Sequence, residues 1–383
     1  MDLELSSEQE MVRETVRVFA ERDLRAEADR CEREESFPAV AVARAGELGL
    51  CGMIVPEEWG GSGLDCVSYA IVIEEVARVC ASTAVTLSVT NSVCAYPILR
   101  FGTKEQKERY LRPLASGRVI GGFCLTEPSC GSDAGALKTR AERKGNRWIL
   151  NGEKSWVTNV QIGSVFLIFA VTDSSRGKKG ISAFIAEPQF PGFRFGKLED
   201  KMGLRASKTG SVLLQDCEIP AENLLGEEGA GLSIPLASLE AGRIGIAAQA
   251  IGLAQAALEE ALAYSQSRVA FGSSLAEFGA TRSKLADMAT SIDAARLLTW
   301  RAAANRDAGC GDGPRESSMA KLFATEMAQE VTYEAVQIHG GYGYSKEFRV
   351  ERLYRDVRVT TIYEGTSEVQ RIIISRSILG QTG

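Results

Sequence analysis

A carboxylate followed directly by a glycine, Glu364-Gly365 in TIYEGTSEVQR (361–371), looks built for chemistry rather than packing. Glycine adopts backbone angles that larger residues resist and lets a ligand come close to the main chain. The segment follows the glycine-rich QIHGGYGY (337–344) and the charged YRDVR, and it precedes an apolar helix, so it reads as a loop clamped between packed elements. Taken only as local structure it is a helix N-terminus. Thr366 or Ser367 would be the cap, and Gln370, three residues after Ser367, would complete a capping box. That reading leaves Glu364 without a role.

Three further segments carry polar groups in turn-like or strand-like surroundings. LTEPSCGSDAG (125–135) combines the hydroxyls of Thr126 and Ser132 with a rigid Glu127-Pro128 step and glycines at 131 and 135. It reads either as a loop of donors around a planar or anionic ligand or as an ordinary Ser/Gly/Pro turn. GEKSWVTN (152–159) sets Trp156 and Thr158 two apart, on one face of a strand. A flat ring beside a hydroxyl donor suits a stacked aromatic cofactor, and a core tryptophan with a satisfied threonine is the alternative. QIHGGYGY offers glycine pairs where backbone could approach a phosphate, but not the G-x-G-x-x-G spacing after a strand. The single histidine, His339, lies there and reads as packed or ligand-adjacent; a Ser-His-Asp triad or multi-histidine metal site would hang on it alone, and no metal site is expected.

The elements that must position these residues fall into three stretches. Ser6 and Gln9 form a capping box, after which Met11, Val12, Val16 and Phe19 recur at helical spacing. Helical character continues over 38–48, 67–78, 82–99 and 104–115, with the turn-rich PEEWGGSG (56–63) between, so residues 1–120 read as an all-α domain. From 121 to 230 come short β-rich runs at 148–150, 164–171, 181–186, 193–198 and 211–214, separated by turn formers such as Asn151-Gly152 and Pro191-Gly192. None is followed by a crossover helix, which predicts a small antiparallel sheet or barrel and no Rossmann unit. Residues 231–383 return to the helical period, with alanine-rich helices over 234–268, 281–308, 315–338 and 367–379 and a four-helix bundle as their natural packing. The fold class is thus mainly α with a central β domain.

Composition narrows the function. A net charge of −6 argues against nucleic acid as partner, and no apolar run reaches membrane-spanning length. The N-terminus MDLELSSEQEM is acidic and polar, unlike a signal peptide. Nine cysteines without a C-x-x-C pair fit reduced, mostly buried thiols and a cytoplasmic location.

Together, FCLTEPSCGSDAG, WVTN, QIHGGYGYSKE…ERLYRD and IYEGTSEVQR resemble, in order over essentially the whole chain, the signatures of the acyl-CoA dehydrogenase flavoproteins, short-chain and butyryl-type members above all. The resemblance implies that family's fold, FAD as cofactor, and α,β-dehydrogenation of a short, branched or alicyclic acyl-CoA to the 2,3-enoyl-CoA. It further implies a homotetramer, a dimer of dimers, that passes electrons to electron-transfer flavoprotein. A member specialised for a cyclic thioester and a non-enzymatic assembly scaffold are the competing readings.

Residue by residue, the resemblance makes Glu364 the base that removes the proton next to the thioester carbonyl, with the flavin on the substrate's other face. Leu125, Thr126, Trp156 and Thr158 would surround the flavin ring. Arg268 and Phe271, and separately Gln337, Gly340 and Gly341, would reach the flavin nucleotide of a neighbouring subunit, while Thr366 and Glu368 would meet its adenosine end. Ser132 would contact the pantetheine arm, and Glu240, Arg243, Tyr363 and Gly365 would lie on the substrate side. Burial against an acyl chain is expected to raise the pKa of Glu364, and the family's two donors to the thioester oxygen, one of them the base's own N–H, would each contribute about 3 kcal/mol.

The chain departs from the pattern at Gly279 and Arg282, where the family usually has glutamines, which puts the hold on the nucleotide in question. Gly242 stands where isovaleryl- and long-chain-type members carry their base. Ala84 stands where glutaryl-type members carry an arginine, which counts against a dicarboxylyl substrate.

Overall fold

The computed structural model describes residues 4–381. The Ser6/Gln9 capping box forms and starts α1 (Ser7–Phe19), whose Val16 and Phe19 are buried. Met11, on the same spacing, stays exposed. A π-helical turn links α1 to α2 (Arg25–Glu34), followed by α3 (Ala39–Glu47) and α4 (Cys66–Val79). The stretch to residue 115 continues as α5 (Ala81–Ser88), a buried π-helical turn Val89–Ala95, and α6 (Tyr96–Phe101), α7 (Lys104–Gln106) and α8 (Arg112–Ala115).

The middle of the chain holds β1 (Gly121–Cys124), β2 (Arg140–Lys144), β3 (Arg147–Thr158), β4 (Val165–Val171), β5 (Ile181–Ala186), β6 (Phe193–Leu198), β7 (Thr209–Pro220) and β8 (Leu224–Leu225). They form one sheet in the order β6-β7-β3-β2-β4-β5-β8, with β1 alongside β4. Two expectations need correction here. The sheet is not purely antiparallel, because β1 runs parallel to β4 and β2 touches β4 through a parallel bridge. Nor does Asn151-Gly152 make a turn. It sits inside β3 at a bulge against β7, where a side chain on Gly152 would run into Thr139. The hairpin turn lies earlier, at Gly145-Asn146 between the paired Lys144 and Arg147. Strand length on both sides of residue 151 overrode the local turn signal, since β7 offers a continuous partner.

The C-terminal third contains α9 (Ser233–Ser267), the short hairpin β9 (Val269–Ala270) and β10 (Ser273–Ser274), α10 (Gly279–Asp307), α11 (Gly313–His339), α12 (Arg349–Val357) and α13 (Ser367–Ile378). The central helix is α9, buried along most of its length between α4, α10 and α11. Its small residues allow this. A Cβ on Gly252 would stand 2.2 Å from the Glu74 carbonyl oxygen of α4. The apolar core therefore runs continuously from α1 and α4 into the C-terminal bundle, while the sheet has a separate core around Phe166, Phe184 and Trp148.

The tail segment differs from the capping box read in the sequence. Thr366 caps α13 by accepting from the Val369 N–H, whereas the Gln370 amide turns back to the carbonyl oxygens of Glu364 and Gly365. Because α4 and α9 are in backbone contact at Gly252, Gly252→Ala must force them apart. We expect it to lower unfolding free energy by roughly 1–3 kcal/mol, read as a lower urea midpoint at unchanged m-value.

Candidate active site

The loop from α12 to α13 enters the site through two successive left-handed residues, Glu364 (φ 51°) and Gly365 (φ 93°). A non-glycine residue there is strained, and strain of this kind is held only where the surroundings fix it. They do so here. The Gly365 carbonyl accepts from the Lys321 ammonium of α11 at 2.6 Å and from the Gln370 amide at 2.9 Å. Tyr363 donates its hydroxyl proton to the Gln249 side chain of α9, which is itself tied to the Ala81 carbonyl at 3.0 Å.

So held, the Glu364 carboxylate lies against α9 at Gly242. A Cβ on that glycine would be 2.0 Å from Glu364 Oε2 and 3.5 Å from Val93 of the buried π-helical turn. Oε2 is buried and has no hydrogen-bond partner among the described residues. Burial pushes the Glu364 pKa up to about 7, even though Lys321 and Arg243 favour its charged form. Burial likewise lowers Lys321 to about 8 and depresses Arg243, whose Nε is also unpartnered. Glu240, one turn before Arg243, is half-buried and raised by burial, with Arg306 and Arg243 opposing.

A second group is built on the sheet. Lys154 of β3, fully buried, pairs with Glu127 at 2.7 Å. Glu127 also accepts from the N–H groups of Lys138 (2.7 Å) and Thr139 (3.0 Å). The Ser155 N–H donates to the Thr126 carbonyl at 2.9 Å, which binds the two loops together. A bulge between Lys154 and Val157 puts Trp156 at φ 57°. As a result Val157 is buried while the Trp156 side chain is 61% exposed, with Leu125, Thr126 and Thr158 half-buried. The core-tryptophan alternative is overturned. Asn159 links this group to the first, bonding the Gly121 carbonyl at 2.8 Å and the Thr86 hydroxyl of α5 at 3.1 Å.

The remaining residues lie outside these two groups. Ser132 is exposed on its loop. Arg268 is exposed at the end of α9, its guanidinium 5.7 Å over the Tyr342 ring, and Phe271 is 99% exposed. Gln337, Gly340 and Gly341 are exposed where α11 ends, Glu368 is exposed on α13, and Gly279 is exposed at the start of α10. The Arg282 guanidinium turns to the Ala276 carbonyl at 2.8 Å. His339 is packed, stacked on Tyr264 with centroids 4.2 Å apart and Nδ1 2.8 Å from the Ala335 carbonyl oxygen. Sequence reasoning missed Lys321, Gln249, Gln370 and the Glu127–Lys154 pair as supporting residues. Glu127 and Lys154 stood inside the segments singled out, whereas nothing local to Lys321 or Gln249 marks them.

FAD fits these surroundings. A large indole left open beside hydroxyl-bearing Thr126 and Thr158, with its backbone fixed by a buried ion pair, is a stacking platform that a flavin ring would cover.

The raised pKa of Glu364 has a consequence for stability. The native state keeps a proton that the unfolded chain has released, so this contribution is complete below about 4.5 and is lost as pH rises through about 7. Glu364→Gln removes the dependence. The variant is expected to gain stability over the parent by up to about 3 kcal/mol between those pH values in chemical denaturation.

Comparison with known proteins identifies the family to which the chain belongs. The acyl-CoA dehydrogenase N-terminal, middle and C-terminal domain models match residues 6–118, 122–217 and 229–379. The mitochondrial short-chain specific acyl-CoA dehydrogenase of Mus musculus is 49% identical over 377 residues, covering 98% of this chain and 91% of its own. The short-chain specific acyl-CoA dehydrogenase of Clostridium acetobutylicum is 46% identical, covering 99% and 100%. Butyryl-CoA dehydrogenase from Megasphaera elsdenii superposes with a TM-score of 0.97 at 43% identity, covering 99% and 100%. A chain from a structure of an electron transferring flavoprotein of Acidaminococcus fermentans, described in terms of flavin-based electron bifurcation, also reaches 0.97, at 47% identity, covering 99% and 100%. With all three domain models matched and near-full-length relatives at this identity, the chain belongs to the acyl-CoA dehydrogenase family of FAD-dependent flavoenzymes.

Proposed function

We propose that this acyl-CoA dehydrogenase converts a short acyl-CoA to its 2,3-enoyl-CoA, with branched or alicyclic acyl groups within its range, and that Glu364 is the base. The observation that carries the reading is Glu364 Oε2, buried and without a hydrogen-bond partner among the described residues, where burial pushes the carboxyl pKa up to about 7. A general base is most effective when its pKa is close to the working pH. The α C–H bond breaks, its electron pair delocalises toward the thioester carbonyl, and the proton goes to Oε2. The Glu364 N–H is assigned to the thioester oxygen, where such a donor typically stabilises the developing charge by about 3 kcal/mol. The α-carbon electron pair then forms the Cα=Cβ bond as the β-hydrogen leaves as hydride, for which FAD, when bound, would supply the acceptor. Leu125, Thr126, Trp156 and Thr158 are assigned to its ring, and Thr366 and Glu368 to its adenosine end.

Tyr363, Gly365, Arg243, Glu240 and Ser132 are assigned to the substrate. The short acyl group is supported by the names of the relatives, short-chain specific and butyryl-CoA dehydrogenases. A homotetramer, in which Arg268, Phe271, Gln337, Gly340 and Gly341 serve a neighbouring subunit's nucleotide, belongs to the same reading, and the fully exposed Phe271 is open to such a neighbour. Electron-transfer flavoprotein as acceptor is supported by the electron-transferring description of one near-identical fold. Domain boundaries at 120/121 and 230/231 and a cytoplasmic location belong to the same reading, the latter supported by the unbridged cysteines, eight of them buried.

The experiment is anaerobic mixing of the purified yellow protein with butyryl-CoA. The parent should bleach. Glu364→Gln should retain the oxidised-flavin spectrum and bind the thioester, yet bleach at least about 10³-fold more slowly. Turnover at the parental rate would refute Glu364 as base.

A further inference from the structure

Lys321 sits in the middle of α11 with its side chain fully buried. Among the described residues its ammonium makes one hydrogen bond, to the Gly365 carbonyl at 2.6 Å, and no contact ion pair. A lysine so placed is expensive, because a buried cation without a partner loses its hydration. The hydrogen bond alone does not require it. The same carbonyl already accepts from the neutral Gln370 amide at 2.9 Å, so a neutral side chain at 321 would leave no orphaned acceptor. What only a lysine brings is a positive charge immediately behind the loop that carries Glu364.

We propose that Lys321 is a positioning residue for proton abstraction: its ammonium pins the Gly365 carbonyl, and with it the Glu364 carboxylate at Gly242, while its charge stabilises the carboxylate form of the base. This rests on the reading of Glu364 given above. The groups around that carboxylate are few. Arg243 faces it from α9 and Lys321 from α11, Tyr363 adjoins it, and Tyr69 of α4 feels its charge, while Glu368 of α13 acts on Lys321 from the surface. Lys321 is the larger of the two cationic influences on Glu364, ahead of Arg243. Without it, burial would be opposed by Arg243 alone, and the base would hold its proton to higher pH.

The test uses the flavin-loaded enzyme and butyryl-CoA, with kcat and kcat/KM followed from about pH 5.5 to 9. Lys321→Gln keeps a donor for the Gly365 carbonyl but no charge, Lys321→Met removes both, and Lys321→Arg keeps the charge. In Gln and Met the acid limb of kcat/KM should move up by about one pH unit, with kcat at pH 7 reduced about fivefold and KM changed less. Arg should hold the limb near its parental position. The flavin spectrum reports whether each variant is folded, and Gln carries the test where Met is too unstable. An acid limb unmoved in folded Gln, or displaced as far in Arg as in Gln, overturns the proposal. Failure of the underlying reading looks different, since then Glu364→Gln itself would turn over with the parental limb.

Discussion

Much of this structure follows from the burial of one carboxylate. Glu364 Oε2 is out of water and without a hydrogen bond from any described residue, a state that costs a carboxylate several kcal/mol if ionised. The chain accommodates it in three ways. The left-handed pair Glu364-Gly365 aims the side chain inward, Gly242 of α9 supplies a wall with no Cβ in its place, and Lys321 and Arg243 provide positive charge without forming a contact pair that would fix the carboxylate as an anion. A direct ion pair would lower its pKa and weaken it as a base. Leaving the charges at a remove lets burial dominate and places the proton equilibrium near neutrality.

The sheet solves a different problem, that of holding an aromatic ring open to solvent. Trp156 is displaced from the strand's alternation by a bulge, and its backbone is anchored by the fully buried Lys154 next door. Glu127, which receives that ammonium and two backbone N–H groups, brings the Thr126 loop to the same place. Contacts through Asn159, Thr86 and the π-helical turn at Val93 then connect this platform to α9 and hence to Glu364. A π-helical turn in a buried helix is a common mark of such junctions.

Much of this was legible in the sequence. The order of helical, β-rich and helical stretches follows from hydrophobic period, and the four signature segments contain the carboxylate, its glycine and the open tryptophan. What was not legible depended on distant partners. The Asn151-Gly152 turn signal is overruled by β7, some sixty residues later in the chain, and the parallel pairing of β1 with β4 has no local signature. Ser367 and Gln370 have the spacing of a capping box, but Gln370 is drawn to the strained carbonyls that precede the helix. Lys321 reads as an ordinary helix surface residue until α13 and the Glu364 loop are folded over it.

Before substrate is bound, the fold holds Glu364 at a near-neutral pKa. Infrared difference titration of the flavin-loaded protein against Glu364→Gln would isolate the carboxyl stretch of this one residue. It should titrate with a midpoint near pH 7. A midpoint at the ordinary carboxylate value of about 4.3 would contradict it.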